Sequence, residues 1–258
     1  MNPVLQRKPT ILPLFIAGVL ACFGILPKAL AVVPPPDGGY PGGNTAEGDN
    51  ALLNLTTGIN NNAVGANALR DDTTGYYNVA VGSGALASNR TGNFNMAIGT
   101  EPLTNNIANY NSAIGFRLGY MNTTGSHLTG IGFAALRNNT TGSFNTAIGW
   151  NALLSNTTGY ENTATGDSAL FSNTRGRFNT ANGVLTLYSN TTGYANTATG
   201  ELALQANTTG AFNTANGVNA VLSNTTGSNN TALGVSAVST SLLQVMLSVS
   251  ALMSGVRT

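Results

Sequence analysis

The chain has 258 residues, of which 42% are hydrophobic and only 7% are charged, and its formal net charge is +1. Average soluble proteins carry about 25% charged residues, so uncharged polar and turn-forming residues replace charged ones here. A nearly neutral chain lacks the basic stripe that nucleic-acid binding requires. We therefore expect no nucleic-acid partner.

Residues 1–31 have the pattern of a secretory signal peptide. Arg7 and Lys8 form a basic start, and residues 11–27 are apolar. Ala29-Leu30-Ala31 fits the small-x-small cleavage rule, so the mature chain is expected to begin near Val32. This pattern predicts a secreted protein.

Two alternatives stay open for this leader. The first alternative is a retained membrane anchor, although the apolar run is short for a bilayer span. The second is a lipid anchor on Cys22, since residues 19–22 loosely resemble a lipobox. Membrane contact is expected only through such an anchor. Cleavage at Ala31 removes three of the ten basic residues, so seven remain against nine acidic ones. It also leaves no thiol, which excludes disulfides and zinc–thiolate sites.

A Pro- and Gly-rich linker over residues 32–43 precedes an array of one short motif, which fills residues 44–238. The motif reads N-T-A-x-G-x-x-A-L-x-S-N-T-T-G-x-x, and residues 145–161 are a clean copy. A disordered polar linker is the alternative, but the Ala and Leu columns keep strict register. Each copy starts 17 residues after the last, apart from one step of 16. The copies begin at Asn44, Asn61, Asn78, Asn95, Asn111, Leu128, Asn145, Asn162, Asn179, Asn196, Asn213 and Asn230.

This period predicts a stacked array in which each copy packs against its neighbours. Position 5 is Gly in all twelve copies, which requires either a positive φ or a very close backbone. Position 15 is Gly in ten of eleven complete copies, and Asn109 is the exception, so we expect a turn that ends there at positive φ. Position 3 admits only a small residue, and position 9 is an apolar column.

The segments between turns are too short for helices, and their alternating pattern favours short strands. We predict two strands and two turns per copy, which makes each copy one coil. The fold class is then all-β, a parallel β-solenoid or β-roll of about twelve 17-residue repeats. At the usual strand spacing the rod is about 58 Å long.

Positions 2 and 4 share the face opposite position 3, and their character changes along the array. Either they face inward, where Asn and Thr satisfy one another, or they form an outward face that contacts partner chains in its apolar half and solvent in its polar half. The candidate binding residues are Val79, Val81, Met96, Ile98, Ile114, Ile131 and Ile148 in the apolar half, and Thr163, Thr165, Thr197 and Thr199 in the polar half.

The pentads that begin at Asn111 (NSAIG) and Asn145 (NTAIG) resemble the head repeats of trimeric autotransporter adhesins of the YadA-like kind. The resemblance covers residues 44–238. It implies a left-handed parallel β-roll, a homotrimer and adhesion to surfaces or host matrix through a broad face. It also implies a place on a bacterial cell surface, either extracellular or associated with the outer membrane. The 17-residue spacing is longer than is usual in that family, which implies larger loops. No stalk pattern follows the repeats, so we expect another means of attachment.

Residues 239–258 abandon the repeat and form an atypical apolar tail. Three interpretations stay open: a hydrophobic cap for the last coil, a weakly membrane-associating helix, or a frameshifted end.

The sequence offers little catalytic chemistry. His127 is the sole histidine and is expected to lie in an exposed turn, Trp150 is expected to pack, and Asp71-Asp72 is expected to be a turn. No recognised nucleotide-binding or nucleophile motif is present. We therefore expect no enzymatic activity, no metal and no cofactor.

The function that these features favour is a secreted or cell-surface structural and adhesive protein. The first alternative is an ice- or crystal-surface-binding solenoid, since T-x-T pairs such as Thr163 with Thr165 form a regular hydroxyl face. The second is a shaft like those of phage fibres, against which the signal peptide argues.

Overall fold

A computed structural model describes residues 40–238 and the backbone of 240–241. The described part contains no helix and one sheet of 13 short strands. The strands are β1 (Thr45–Glu47), β2 (Asn62–Val64), β3 (Val79–Val81), β4 (Met96–Ile98), β5 (Ser112–Ile114), β6 (Thr129–Ile131), β7 (Thr146–Ile148), β8 (Thr163–Thr165), β9 (Thr180–Asn182), β10 (Thr197–Thr199), β11 (Thr214–Asn216), β12 (Asn230–Leu233) and β13 (Thr240–Ser241).

Strands follow one another in the sheet in chain order, and β1 to β12 are all parallel. Pairing is in register, so Val79 lies beside Met96 and Ala80 beside Ala97. β13 turns back and pairs with β12 in the antiparallel sense. The prediction of an all-β parallel solenoid with one coil per repeat is confirmed.

The prediction of two strands per coil is wrong. Each coil has one three- or four-residue strand at positions 2–4, and its opposite wall is built of turns. There, positions 7 and 9 have left-handed backbones, as in Asn50 (φ 60°) and Leu52 (φ 49°), and no strand tolerates that. Backbone bonds still join the coils on this wall, for example from Leu69 N–H to the Ala85 carbonyl at 3.0 Å.

The glycine at position 5 satisfies both conditions that were expected of it. Gly65 has φ +125°, and a Cβ on it would lie 2.7 Å from the carbonyl carbon of Gly82 in the next coil. At position 15 the expected positive φ is wrong. A Cβ on Gly75 would lie 2.7 Å from the Gly92 carbonyl oxygen, so close stacking excludes side chains there. Position 17 takes the left-handed conformation instead, as in Phe94 (φ 56°).

The copy that is one residue short keeps the sheet in register, because the loss is absorbed at the N-T-T-G corner. Ala108, and not Asn109, takes the place of the corner glycine there: its carbonyl accepts from Asn95 Nδ2 at 2.8 Å. Met96 still pairs with Ser112.

The core lies between the strand wall and the turn wall. Ala at position 3 meets Leu at position 9, and these side chains are almost all fully buried. In one coil Leu118 occupies position 8 and Gly119 position 9, and a Cβ on Gly130 would lie 2.5 Å from Leu118 Cδ2. Gly130 therefore replaces the usual alanine because the displaced leucine needs the space.

Two ladders of buried asparagines brace the coils along the rod. At position 1, the Asn179 amide nitrogen donates to Asn162 Oδ1 at 3.1 Å and to the Gly193 carbonyl at 2.9 Å. At position 12, Asn173 Nδ2 donates to Asn156 Oδ1 at 2.8 Å. These bonds satisfy buried polar groups that would otherwise be costly, and they explain why the motif keeps both asparagines.

Several expectations fall outside the described residues: the signal peptide, nearly all of the linker and, apart from the backbone of β13, the tail. Within residues 40–238, no helix is long and apolar enough to cross a membrane. The left-handed winding and the trimeric state stay predictions.

Candidate binding face

Positions 2 and 4 point outward in every described coil, so the inward alternative is wrong, while contact of the apolar half with partner chains stays a prediction. In β6, for example, Thr129 and Ile131 are exposed while Gly130 between them is buried. Because the strands pair in register, equivalent side chains form continuous columns along the rod. One outward face therefore runs from β1 to β12.

All eleven predicted residues lie on this face. Val and Ile fill position 4 from β3 to β7, and Ile131 is 45% exposed. Ile148 pairs with Thr165, and at that step the column changes from apolar to polar. We call the outward residues of β3–β7, with the aromatic residues that flank them, the apolar face. The outward residues of β8–β11 are the polar face.

The polar face continues a column of threonines at position 2. This column is unbroken over seven coils, and its side chains are exposed in all but Thr146, which is half-buried. Over the four coils of β8–β11 the position 4 column alternates between Thr and Asn, as in the pair Thr165 and Asn182. The position 2 threonines are Thr129, Thr146, Thr163, Thr180, Thr197, Thr214 and Thr231.

An aromatic ladder at position 17 borders the apolar face, two residues before each strand begins. Tyr77 stacks on Phe94 with ring centroids 5.4 Å apart, and Phe94 stacks on Tyr110 at 5.2 Å. His127 stacks between Tyr110 and Phe144, at 5.0 and 4.6 Å. These five exposed rings, which we call the aromatic ladder, span the coils of β3–β7 without a gap.

A second stack borders the same face at position 6, two residues after the strands. Phe116, Phe133 and Trp150 stack at 5.0 and 4.2 Å, with their rings within 12° of parallel. Trp150 packs on Phe133, as expected, but it is also 54% exposed. It is therefore a surface residue as well as a packing one.

The aromatic ladder was not predicted, because position 17 is a variable position of the motif. The signal was available: five consecutive copies carry Tyr, Phe, Tyr, His and Phe there. His127 was predicted to lie in an exposed turn, and it is exposed. Its membership of a stack could not be inferred without knowing that position 17 points outward.

Charges lie around the apolar face and not within it. None of its position 17, 2, 4 and 6 residues is Asp, Glu, Lys or Arg. Glu161 and Asp167 are exposed at the same positions of the β8 coil, which borders the face. Beside it, Arg117 and Glu101 form an ion pair at 2.6 Å. The face is thus uncharged and is bordered by two carboxylates on its β8 side.

Asp72 is a buried carboxyl at the start of the position 12 ladder. It was expected to belong to a turn, and its burial in the ladder was not predicted. It accepts from Gly75 N–H at 3.0 Å and from Asn61 Nδ2 at 3.3 Å. Burial raises its pKa to about 7, because the charged form loses its water, while bonds from the Gly75 and Thr73 backbones partly oppose the shift.

The described surface also has a depression of about 520 Å³ at the C-terminal end of the stack. It is lined by uncharged residues such as Val221, Asn224 and Ala237. Among residues 40–238, no three His, Cys, Asp or Glu side chains lie together as a metal site would require. The outward face, by contrast, runs along all twelve coils of the described stack.

Comparisons of the chain with protein-family models, with curated proteins and with solved structures found no match.

Proposed function

We propose that the protein is a secreted or cell-surface structural and adhesive rod that engages extended surfaces through its outward sheet face. The observation that carries this proposal is the register of that face. Each outward position repeats at the strand spacing over many coils. A ligand that is itself extended or repetitive can therefore make the same contact many times.

Multiple weak contacts suit adhesion, because linked contacts raise the overall affinity without any single strong site. The polar face offers hydroxyl and amide groups on a flat surface, and those are adaptable hydrogen-bonding groups. The resemblance to trimeric adhesin heads favours the same function, and the leader over residues 1–31 favours export.

Adhesion is tested by binding the full chain to immobilised collagen, fibronectin and laminin. A variant with Thr197→Lys and Thr214→Lys places two charges on the polar face. The control carries Thr192→Lys and Thr209→Lys at the exposed N-T-T-G corners of two consecutive coils. We expect the first variant to lose binding and the control to keep it. Equal binding by both, or no binding by the unaltered chain, contradicts the proposal.

A second function is favoured by the unbroken column of seven threonines. Their hydroxyls recur at about 4.8 Å along the rod, so they form a regular array that suits binding to ice or to another crystalline surface. Thermal hysteresis and ice-growth shaping by the full chain test this idea. Activity that falls in the Thr197→Leu, Thr214→Leu variant supports it, and the absence of activity at millimolar concentration rejects it.

A further inference from the structure

The apolar face exposes more apolar area than is usual for a monomeric protein. It carries eight half-exposed rings and four half-exposed Val or Ile side chains. Because a whole aromatic side chain covers 150–250 Å², the exposed apolar area is on the order of 1,000 Å². The largest apolar patch on a typical monomer is roughly 300–600 Å². Each partner in a standard protein–protein interface buries about 800 Å². The apolar face is therefore large enough to be one partner's side of such an interface.

The stacking within the face limits what can bind there. Neighbouring rings of the aromatic ladder lie 4.6–5.4 Å apart and within 28° of parallel, so the three inner rings are covered on both faces by their neighbours. A sugar that stacks on aromatic rings needs free ring faces. The ladder presents ring edges instead, which form an apolar ridge that packs well against another apolar sheet.

We propose that the apolar face pairs with the same face of a second copy of this chain, with the two rods antiparallel, in place of the homotrimer that the resemblance implies. A single continuous face that meets itself gives a two-fold, isologous interface. Two such sheets pack face to face at about 10 Å, as in a β-sandwich.

The two carboxylates at the β8 border of the face favour the antiparallel arrangement. When the pair is centred on β5, β3 lies opposite β7, and β2 lies opposite β8. Glu161 then faces the Asn60 region and Asp167 faces the Ala66 region, so no two carboxylates meet. In a parallel pair β8 lies opposite β8 with its direction reversed, so Glu161 of one copy meets Asp167 of the other. Like charges that face each other are destabilising.

The same centring brings matched apolar groups together. The β5 coil meets its own copy, so Tyr110 and Ile114 each lie near the two-fold axis. Ile98 of β4 lies opposite Ile131 of β6. The bulky Trp150 of β7 lies opposite the small Ser83, which leaves room for the indole ring. This complementarity of large and small side chains is what close packing between sheets requires.

The first test is the mass of the full chain in solution, by light scattering coupled to size exclusion. The variant Ile114→Asn, Ile131→Asn places the polar face's residue type on the apolar face. Its matched control is Thr180→Asn, Thr197→Asn, with circular dichroism to confirm that all variants fold. We expect a dimer for the unaltered chain and the control, and at least 100-fold weaker association for the variant. A monomer, a trimer or an unaffected variant overturns the pairing.

The orientation is tested by electron paramagnetic distance measurement on the full chain with Cys22→Ser and a spin label on Thr214→Cys. Thr214 lies on β11, six strands from β5, so the two labels of an antiparallel pair are twelve strand spacings, or about 58 Å, apart. A parallel pair brings them to about 10 Å, the distance between packed sheets. The longer distance supports the proposal, and the shorter one overturns it.

Failure of this pairing is separable from failure of the adhesive function. Mass and label distance report on the apolar face, whereas binding to matrix proteins was assigned to the polar face. A monomer that still binds through Thr197 and Thr214 overturns only the pairing, and a dimer that binds nothing overturns only adhesion.

Discussion

In the coils of β3–β7 the outward position 4 holds Val and Ile, and in those of β8–β11 it holds Thr and Asn. Behind these columns the two regions share the same buried Ala at position 3, apart from Gly130, and the same glycine at position 5. Parallel pairing joins them without a break at Ile148 and Thr165. In this solenoid, therefore, the interior sets the fold, while the outward columns are free to change character along one rod.

This separation has a physical cause. Interior positions are stacked so closely that a neighbouring backbone excludes additional atoms, whereas outward side chains meet mainly solvent and the equivalent residue in the next coil. Surface substitutions away from special features usually change stability by less than about 0.5 kcal/mol. An apolar and a polar face are thus nearly equal in folding free energy, and they differ in what they bind.

The largest effect is expected from alanine at position 5, and it should be alike in both regions. Gly132 has φ +132° and Gly183 has φ +136°, and in each case a Cβ would meet the backbone of the next coil. We expect Gly132→Ala and Gly183→Ala each to lower the free energy of unfolding by about 3 kcal/mol or more. Urea denaturation measures this.

The matched control is Gly234→Ala, because Gly234 has φ +121° but no atom within 4 Å of an added Cβ. It should lose only the conformational part, about 1–2 kcal/mol. If the apolar region tolerated alanine while the polar region did not, the two interiors would not be equivalent.

The next effect concerns the position 1 ladder, which is continuous in the polar region and interrupted by Leu128 in the apolar one. The Asn179 side chain makes four hydrogen bonds, to Asn162, Gly193 and Asn196. Asn145 makes three, because Leu128 precedes it. We expect Asn179→Ala to cost about 3 kcal/mol and Asn145→Ala about 2 kcal/mol.

Thermal unfolding of the two variants measures this difference, and the exposed Asn182→Ala on the polar face is a control that should stay near zero. A larger loss of stability for Asn145→Ala than for Asn179→Ala would contradict the view that stability follows the number of hydrogen bonds that each side chain makes.

A third effect is a pH dependence confined to the N-terminal side of the apolar region. The pKa of Asp72 is about 7 in the fold against 3.8 as its ordinary value. The folded chain therefore holds a proton that the unfolded chain has lost between about pH 4 and pH 7, so stability falls as pH rises through that window. Asp72→Asn should remove this slope and stabilise the protein by about 2 kcal/mol above pH 7.

Hydrogen exchange, resolved for each coil and measured at pH 5 and pH 8, reports this pH dependence of stability. The amide ladder around Asn173 and Asn190 in the polar region serves as the internal control, since its exchange should not follow the same slope. Equal slopes in the two regions, or a slope that survives Asp72→Asn, would contradict the assignment.

The smallest effect is expected from ring stacking. In the polar region Ala195 separates Phe178 from Phe212 at position 17. The substitution Ala195→Phe should join them into a ladder and add about 0.5–1 kcal/mol. His127→Phe, within the existing ladder, should change stability less, because a stacked ring is already present. Denaturant midpoints measure both, and no gain from Ala195→Phe would mean that the stacking adds little to stability.

The periodic parts of this fold could be predicted from the sequence. Glycine at position 5, as in Gly65, and a small residue at position 3 indicate where neighbouring coils are in contact. The stacked fold and the number of coils follow from these two columns. The second strand could not be excluded, because a leucine such as Leu52 at φ 49° contradicts ordinary backbone preference. Only the packed core, which buries that leucine, explains it.

The direction of the candidate face was also beyond the sequence. Val81 and Thr165 occupy the same position of the motif, and alternation alone does not tell which side of a strand meets the core. Once Ala80 is seen to be buried, the outward direction follows for every copy. The aromatic ladder then becomes visible, since Phe94 and Phe144 lie two residues before outward positions.

The most direct test of the division between the two faces is the fluorescence of Trp150, the only tryptophan in the chain. It lies on the apolar face and is 54% exposed in a single copy. If two copies pair through that face, its emission is blue-shifted and protected from acrylamide in the unaltered chain, and becomes red-shifted and quenchable in the Ile114→Asn, Ile131→Asn variant. Emission and quenching that are solvent-exposed and identical in both proteins would contradict the pairing.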